Sequence, residues 1–474
     1  MKTLKLLAIL FIAPFLVTNC SDDDDMTPIN TPTPTATTIV DLAIDTPELS
    51  SLVAALQQAD GDLTTVLSGD GPFTVLAPTN AAFATFLSAN GFASLDEVPT
   101  DILSKILLNH VISGNVMSTD LVALGEGYTS TSTNGAGGMP MSLYFNTSNG
   151  VMFNGISSVE QADIEASNGT IHIVDAVIGL PNLVDHALAN PNFTNLVGAL
   201  SAADGDLVDV VGNNGPFTIL APGNNAFGTF LTNNGFASLD EVPTDILAQV
   251  LLNHVLSGSI SSSNLVEAGA GYTTTSATAA PDGNALSLYF NTSDGVSFNG
   301  VSNVATPDIV ATNGIIHAVD GVIGLPTVVD FALADPNFTT LVSALTRDDL
   351  TFDYVGALST PNGTAPAPFT VFAPTNDAFA SLLDELGISG LNDISEPVLK
   401  ATLDHHAVAQ ANVLSSDLMD GMTISTLGGN ITAQLEGGAA LVDANGRICH
   451  IIAVDVQASN GVIHVLDKVV LPPL

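Results

Sequence analysis

Six of the nine histidines in this chain are the residues whose type and spacing could do chemistry. They form one pair in each of three similar stretches: His110 with His172, His254 with His317, and His406 with His464. An imidazole can ligate a metal ion or serve as a general base near neutral pH. However, no carboxylate recurs at a spacing that would complete a metal-binding triad. The sequence therefore predicts no metal site, no catalytic residue and no cofactor.

The alternative role for these histidines is structural. Leu103, Ile106, Leu107 and His110 fall at i, i+3, i+4 and i+7, which is one face of a helix, and the other two copies keep this spacing. His172 lies in an alternating apolar segment that is typical of a strand. A buried neutral imidazole bonded to a backbone carbonyl explains both positions, and this is the interpretation that we favour.

The elements that carry the histidines belong to a sequence unit that occurs three times in the chain. FTVLAPTNAAF at 73–83 returns as FTILAPGNNAF at 217–227 and as FTVFAPTNDAF at 369–379. A separation of about 150 residues is the size of a whole domain, whereas solenoid units repeat every ~20–50 residues. The sequence therefore predicts three copies of one domain, of which the third has diverged most.

Within each copy, helices are predicted in the first half and hairpins in the second. Phe73, Val75 and Ala77 alternate with other residues as in a strand, and the asparagine that follows A-P-x is predicted to cap the next helix. These capping residues are Asn80, Asn224 and Asn376. Asn149-Gly150 and Asn168-Gly169 suit the tight turns of hairpins. Each domain is therefore predicted to be α+β.

Three features of each copy together resemble the fasciclin domain. They are the F-T-[VI]-[LF]-A-P-x-N-x-A-F sequence, the helix that ends in histidine, and the closing N-G-x-I-H-x-[VL]-D strand. The resemblance implies a β-sandwich wedge with helices packed on it, repeated in tandem at 39–181, 182–326 and 327–474. It also implies cell adhesion or matrix contact without enzymatic activity.

The same resemblance suggests adhesion residues. In animal fasciclin domains, a Tyr-His pair and an Asp-Ile pair are associated with integrin-dependent adhesion. Here the tyrosine is replaced by Asn109, Asn253 or His405, and the third copy has Pro397-Val398 in place of Asp-Ile. The candidate adhesion residues are therefore Asp101, Ile102, His110, Asp245, Ile246, His254 and His406. The alternative is that Asp101 only stabilises a helix start and that Ile102 packs below it.

The N-terminus is predicted to be a secretion signal. Lys2 and Lys5 precede an apolar run at 6–17 that is too short to span a bilayer. The following V-T-N-C sequence resembles a bacterial lipoprotein signal, which makes 1–19 the signal peptide and Cys20 the lipidated residue. Residues 20–38 form an acidic, Thr/Pro-rich tether.

The serine and four aspartates after Cys20 resemble the export tag of surface lipoproteins in Bacteroidetes-type bacteria. The alternative is that these aspartates merely keep the tether solvated. The expected location is the outer membrane, with the chain lipid-anchored and exposed at the surface.

Charge and composition limit the partners. With 7 basic and 48 acidic residues, the formal net charge is −41, which excludes nucleic acid as a natural partner. Membrane contact is expected only through the lipid anchor, and divalent cations could bind diffusely. The lone Cys449, in an apolar run, is predicted to be a buried, inert thiol.

Two functions compete at this point. The first is a non-enzymatic surface array that binds an unidentified surface protein or an extracellular polysaccharide. The alternative is a polysaccharide- or matrix-binding or polymer-processing accessory lipoprotein with a histidine-containing site. The chain has no tryptophan and five tyrosines, which is poor for stacking on sugars. A converging polar pocket beside His110 would favour the histidine-containing site.

Overall fold

A computed structural model describes residues 37–473. The predicted signal peptide, the lipidation residue Cys20 and nearly all of the tether lie outside the described residues. The described chain contains three domains in tandem, and each begins with short helices and ends with antiparallel hairpins. The prediction of three tandem α+β domains is confirmed.

Domain 1 has six helices and seven strands. Its helices are Ile39–Asp45, Ser50–Gln58, Leu63–Ser68, Asn80–Ala89, Thr100–Leu108 and Ser118–Leu124. Its strands are Phe73–Pro78, Val111–Ser113, Glu126–Asn134, Pro140–Asn146, Met152–Phe153, Ser157–Ala166 and Gly169–Val174.

Domain 2 repeats this order element by element. Its helices are Leu183–Ala189, Thr194–Ala202, Leu207–Asn213, Asn224–Asn233, Thr244–Leu252 and Ser262–Ala268. Its strands are Phe217–Pro222, Val255–Ser257, Ala270–Thr274, Ser287–Asn291, Ser297–Phe298, Ser302–Val310 and Gly314–Val319.

Domain 3 keeps the seven strands but shortens the helical part. Its helices are Val328–Ala334, Thr339–Leu345, Tyr354–Leu358, Asn376–Leu386 and Glu396–Asp404, and a 3-10 turn, Ser415–Asp417, stands in place of the sixth helix. Its strands are Phe369–Pro374, Ala407–Ala409, Thr423–Ser425, Asn430–Gln434, Ala440–Val442, Ile448–Ala458 and Gly461–Leu466.

The first strand of each domain lies between the last strand and the short second strand. In domain 1, Phe73–Pro78 pairs in parallel with the last strand, Gly169–Val174, and antiparallel with Val111–Ser113. The other strands follow in chain order, and the pairing of Ile112 with Thr131 closes the sheet into a barrel. The last strand of the domain therefore pairs with the first strand.

This central strand contributes to two apolar cores, which explains its burial on both faces. Val75 and Ala77 pack towards the helices, whereas Leu76 packs into the core enclosed by the strands, with Phe153 among its neighbours. Alternate residues of a strand point to opposite faces, so one strand can serve both cores. The same division recurs in the other two domains.

The helix caps differ from the sequence prediction. Thr79, not Asn80, is the N-cap residue, and its side chain accepts a hydrogen bond from the amide of Ala82. Because Thr79 has the extended backbone of a cap, Asn80 becomes the first helical residue and its side chain turns to a neighbouring helix. Its Oδ1 accepts a 2.8 Å hydrogen bond from the amide of Ser51, and its Nδ2 donates to the carbonyl of Pro47. The prediction of a cap was therefore wrong, and Asn224 and Asn376 make the same link between helices.

The junction between domains 1 and 2 is formed by side chains of two strands in the first domain. The ring of Tyr128 lies 5.9 Å from the ring of His186, and its hydroxyl accepts a 3.2 Å hydrogen bond from Asn190 Nδ2. Nearby, Ser142 Oγ accepts a 2.9 Å hydrogen bond from the amide of Val310. The two domains therefore contact each other through an aromatic pair, in which His186 is buried and Tyr128 is partly buried, and through polar contacts.

The junction between domains 2 and 3 has the same design. The ring of Tyr272 lies 5.7 Å from the ring of Phe331, and its hydroxyl donates a 3.0 Å hydrogen bond to Asp335 Oδ2. Ser287 Oγ accepts a 2.9 Å hydrogen bond from the amide of Gln457. Burial and the neighbouring Asp335 carboxylate raise the pKa of Tyr272 well above its usual value. Because equivalent residues meet at both junctions, each domain is attached to the next in the same way.

Candidate functional site

The Asp-Ile pair lies at the surface of domains 1 and 2. Asp101 is exposed in the first turn of helix Thr100–Leu108, and Ile102 is 37% exposed. The expectation that Ile102 packs below the helix start was wrong, because the buried face of this helix begins one residue later, at Leu103. In domain 2, Asp245 is exposed and Ile246 is 43% exposed. Domains 1 and 2 therefore each present a carboxylate beside a branched apolar side chain.

The histidine at the end of this helix has no free ring nitrogen. His110 is buried, its Nδ1 bonds to the carbonyl of Ile106 at 2.8 Å, and its Nε2 bonds to the amide of Ile178 at 2.9 Å. A backbone amide can only donate, so Nε2 is the acceptor and Nδ1 carries the proton. Burial lowers the pKa of His110 to about 4, which keeps the ring neutral at physiological pH.

His254 and His406 repeat this arrangement with their own helix carbonyls and with amides beyond the last strand. Burial lowers the pKa of each of these histidines to about 4 as well. The three rings join a helix end to the segment that leaves the domain. Since they are buried and fully bonded, they cannot contact a partner at the surface, and the candidate adhesion residues that remain are the Asp-Ile pairs.

The second histidine of each domain belongs to a three-residue cluster that we call the clasp. In domain 1 it consists of Ser118, Asp163 and His172. Ser118 donates its hydroxyl to Asp163 Oδ2 at 2.5 Å and its amide to Oδ1 at 2.8 Å. His172 Nδ1 accepts from the amide of Asp163 at 3.1 Å, and Nε2 donates to the carbonyl of Val116. The clasp therefore joins a helix start to the last hairpin.

The clasp contains the residue types of a hydrolase triad but not its geometry. In such a triad the serine is hydrogen-bonded to histidine, which acts as the base. Here Ser118 donates to Asp163 instead, and both nitrogens of His172 are bonded to the backbone. Domains 2 and 3 repeat the clasp with Ser262, Asp308 and His317, and with Ser415, Asp455 and His464. This arrangement serves structure rather than acyl transfer.

The clasp aspartate and serine were missed in the sequence. The signal was present, because an aspartate stands five residues before the asparagine of N-G-x-I-H in every copy. Asp163 has a left-handed backbone conformation with φ of 60°, which residues other than glycine rarely adopt. Although burial acts in the opposite direction, the hydrogen bonds from Ser118 hold the pKa of Asp163 below its usual value.

The asparagine of the last hairpin does more than form a turn. Asn168 Oδ1 accepts a 2.9 Å hydrogen bond from the amide of Ile39, at the start of the first helix, and its Nδ2 donates to the carbonyls of Leu67 and Gly69. Asn313 and Asn460 make the equivalent bonds in the other domains. One side chain thus attaches the beginning of each domain to its end.

The space beside His110 is not a polar pocket. It is an apolar cavity of about 10 Å³, and the equivalent space beside His254 is about 30 Å³. Within residues 37–473, no group of three His, Cys, Asp or Glu side chains is arranged to hold a metal ion. The geometry that would favour a histidine-containing active site is therefore not found beside these rings.

Cys449 is fully buried at a position where domains 1 and 2 have Ser157 and Ser302. Burial raises the pKa of its thiol to about 12, so it is protonated at neutral pH. In the described part of the chain, no helix has the length and apolar character needed to cross a bilayer.

Comparison with known proteins assigns this fold to a family. The Fasciclin domain model matches residues 47–181, 191–326 and 336–472, and the chain therefore belongs to the fasciclin domain family. Human periostin is 24% identical over 411 residues, which are 86% of this chain and 44% of periostin. Pig transforming growth factor-beta-induced protein ig-h3 is 26% identical over 412 residues, which are 86% of this chain and 54% of that protein. The chain thus spans about half the length of these animal relatives.

Two further similarities cover parts of the chain. Protein sll1483 from Synechocystis is 38% identical over 146 residues, which are 31% of this chain and 75% of that protein. A solved FAS1 domain pair from the insect cell adhesion molecule fasciclin I is 20% identical with a TM-score of 0.38. This similarity covers 58% of the present chain and 96% of the solved one.

Proposed function

We propose that this protein is a non-enzymatic adhesion or interaction protein that presents three fasciclin domains from a lipid anchor on the outer membrane. The observation that carries the proposal is the exposure of the same Asp-Ile pair at the same helix start in domains 1 and 2. The paired histidines, by contrast, join elements within each domain. Membership of the fasciclin domain family supports the same class of function.

The repetition of the pair favours multivalent binding. Two equal sites on domains with a fixed attachment raise the overall affinity, because the second binding event becomes intramolecular. The pair combines a carboxylate with an apolar contact, so it suits a protein surface better than a sugar. The partner that we propose is therefore a surface protein, and an extracellular polysaccharide is the alternative.

The test is adhesion of cells that display variants of the chain. Changing Asp101 and Asp245 to Ala, together with Ile102→Ser and Ile246→Ser, should reduce adhesion by at least tenfold. The same changes in one domain should reduce it less. The matched control is Val122→Ser with Val266→Ser, since these valines are each 59% exposed on another helix of the same two domains. Full adhesion by the fourfold variant would contradict the proposed site.

The anchor is tested separately. Cys20→Ala should release the protein from membranes, because lipidation is the only anchor that we propose. Deletion of residues 22–25 should leave the protein lipidated but no longer accessible to protease on intact cells. Unchanged protease access after this deletion would show that the acidic run is not an export tag.

A further inference from the structure

Domain 3 contains an apolar cavity, and the equivalent spaces in domains 1 and 2 are much smaller. It lies between helices Val328–Ala334, Thr339–Leu345 and Tyr354–Leu358 and the two parallel central strands, and its volume is about 110 Å³. The equivalent spaces in domains 2 and 1 measure about 30 and 10 Å³. The three domains share one fold, so the difference is specific to the residues of domain 3.

Two changes that separate domain 3 from both other domains contribute to the larger space. Val328 stands where domain 1 has Ile39 and domain 2 has Leu183, so the cavity wall has lost part of a side chain. The third helix, Tyr354–Leu358, has five residues, whereas its counterpart in domain 2, Leu207–Asn213, has seven. A smaller side chain and a shorter helix leave a void, because packed surroundings relax only partly around missing atoms.

The lining defines the chemistry of what could enter. All lining side chains are apolar except that of Thr346, whose hydroxyl is already donated to the carbonyl of Val342 at 2.8 Å. No ionisable side chain lines the cavity. Leu333 belongs to the lining and is 65% exposed, which places it at the mouth. The cavity therefore reaches solvent and offers neither a charge nor a free hydrogen-bond donor.

We propose that domain 3 binds a small neutral apolar molecule, or the apolar end of a longer one, in this cavity. Its volume is comparable to the roughly 150 Å³ of an engineered apolar cavity that stays dry and binds benzene or xenon. A charged ligand would lose its hydration without gaining a partner, so the site selects against it. This binding is independent of the Asp-Ile pairs, which lie on domains 1 and 2.

The test uses crystals of the chain under xenon pressure and calorimetric titration of the chain with toluene and with 1-octanol. Xenon should occupy domain 3 and leave the equivalent positions of domains 1 and 2 empty. Toluene should bind with one site per chain. If 1-octanol binds more tightly than toluene, the natural ligand is the apolar end of a longer molecule. If toluene binds more tightly than 1-octanol, the natural ligand is a small molecule that the cavity encloses.

The decisive variant is Val328→Leu with Val371→Ile, which gives two lining positions the residues of domain 2. It should weaken toluene binding at least tenfold and raise the melting temperature of the unliganded chain, because the added carbons fill the void. The control is Val398→Leu with Val454→Ile, the same changes at exposed positions of domain 3. Absence of xenon and toluene from domain 3, or unchanged binding by the filled variant, would overturn the proposal.

Discussion

At the scale of single residues, the six paired histidines of this protein form hydrogen bonds through both ring nitrogens. His110 donates to a helix carbonyl with one nitrogen and accepts from a distant amide with the other. These bonds offset the loss of hydration that burial imposes on the ring. The same solution is used in all three domains, which makes these positions intolerant of apolar replacements that leave the amide unsatisfied.

Replacing His110 should therefore destabilise domain 1. His110→Ala should cost about 1–3 kcal/mol, because it leaves a buried carbonyl and a buried amide without partners. His110→Gln, which keeps a polar tip, should cost less. Scanning calorimetry of the chain measures both, with His450→Ala as the control because His450 is exposed. Equal melting of all variants would contradict a structural role.

The protein should also lose stability in mild acid. Burial lowers the pKa of His110, His186, His254 and His406 to about 4, below the ordinary value of 6.5. Between pH 6.5 and 4 the unfolded chain therefore binds more protons than the folded chain. The contribution of these histidines to the free energy of unfolding is fully present above pH 6.5 and is lost as the pH falls through this window. Each histidine contributes a loss of about 3 kcal/mol at the acidic end.

Domain 2 contains two of these histidines and should be the most acid-sensitive domain. His186→Phe, which introduces the residue that domain 3 has as Phe331, should reduce this extra sensitivity. Thermal unfolding measured from pH 7 to pH 4 tests the prediction, with the wild-type third domain as the internal reference. The same acid dependence in the variant as in the wild type would show that His186 does not contribute.

At the scale of elements, the clasp holds the last hairpin against a helix start. Asp163→Ala should destabilise domain 1 more than Ser118→Ala, because alanine also disfavours the left-handed backbone at this position. We expect roughly 1–3 kcal/mol for Asp163→Ala. Chemical denaturation gives the free energies, and hydrogen exchange at the amide of Ser118 should speed up in both variants. Glu160→Ala, an exposed change on the same strand, is the control.

The order of elements could be predicted from sequence because each depends on neighbouring residues. The apolar spacing around His110 and the Asn-Gly turns are local signals, and they correctly indicate helices followed by hairpins. The cap was assigned to the wrong residue because Thr79 and Asn80 are both good capping residues and only the backbone decides between them. The clasp joins residues 45 positions apart, so the aspartate that recurs before N-G-x-I-H could be noticed in the sequence, but no local pattern reveals that it contacts Ser118.

At the scale of the whole molecule, two junctions of the same design should fix the three domains relative to one another. Tyr128→Ala and Tyr272→Ala each remove a partly buried ring and its hydrogen bond from one junction. We expect the double variant to sample a broader range of domain arrangements, visible as a wider distance distribution in small-angle X-ray scattering. Tyr354→Phe, within domain 3, should leave the distribution unchanged. A wild-type profile of three freely jointed bodies would contradict this description.

The two outer faces of the array differ from the faces that meet inside it. A head-to-tail contact that does not close on itself generates open filaments, and the junctions here are contacts of this kind. Yet domain 1 carries the exposed charge of Glu165 where Val310 and Gln457 are buried in junctions. The strands Thr423–Ser425 and Asn430–Gln434 of domain 3 have none of the tyrosines that their counterparts use. The residues that join the described domains are thus absent from the faces of domains 1 and 3 that join no described domain, so a head-to-tail contact between two copies through these faces would lack the partners that hold the junctions.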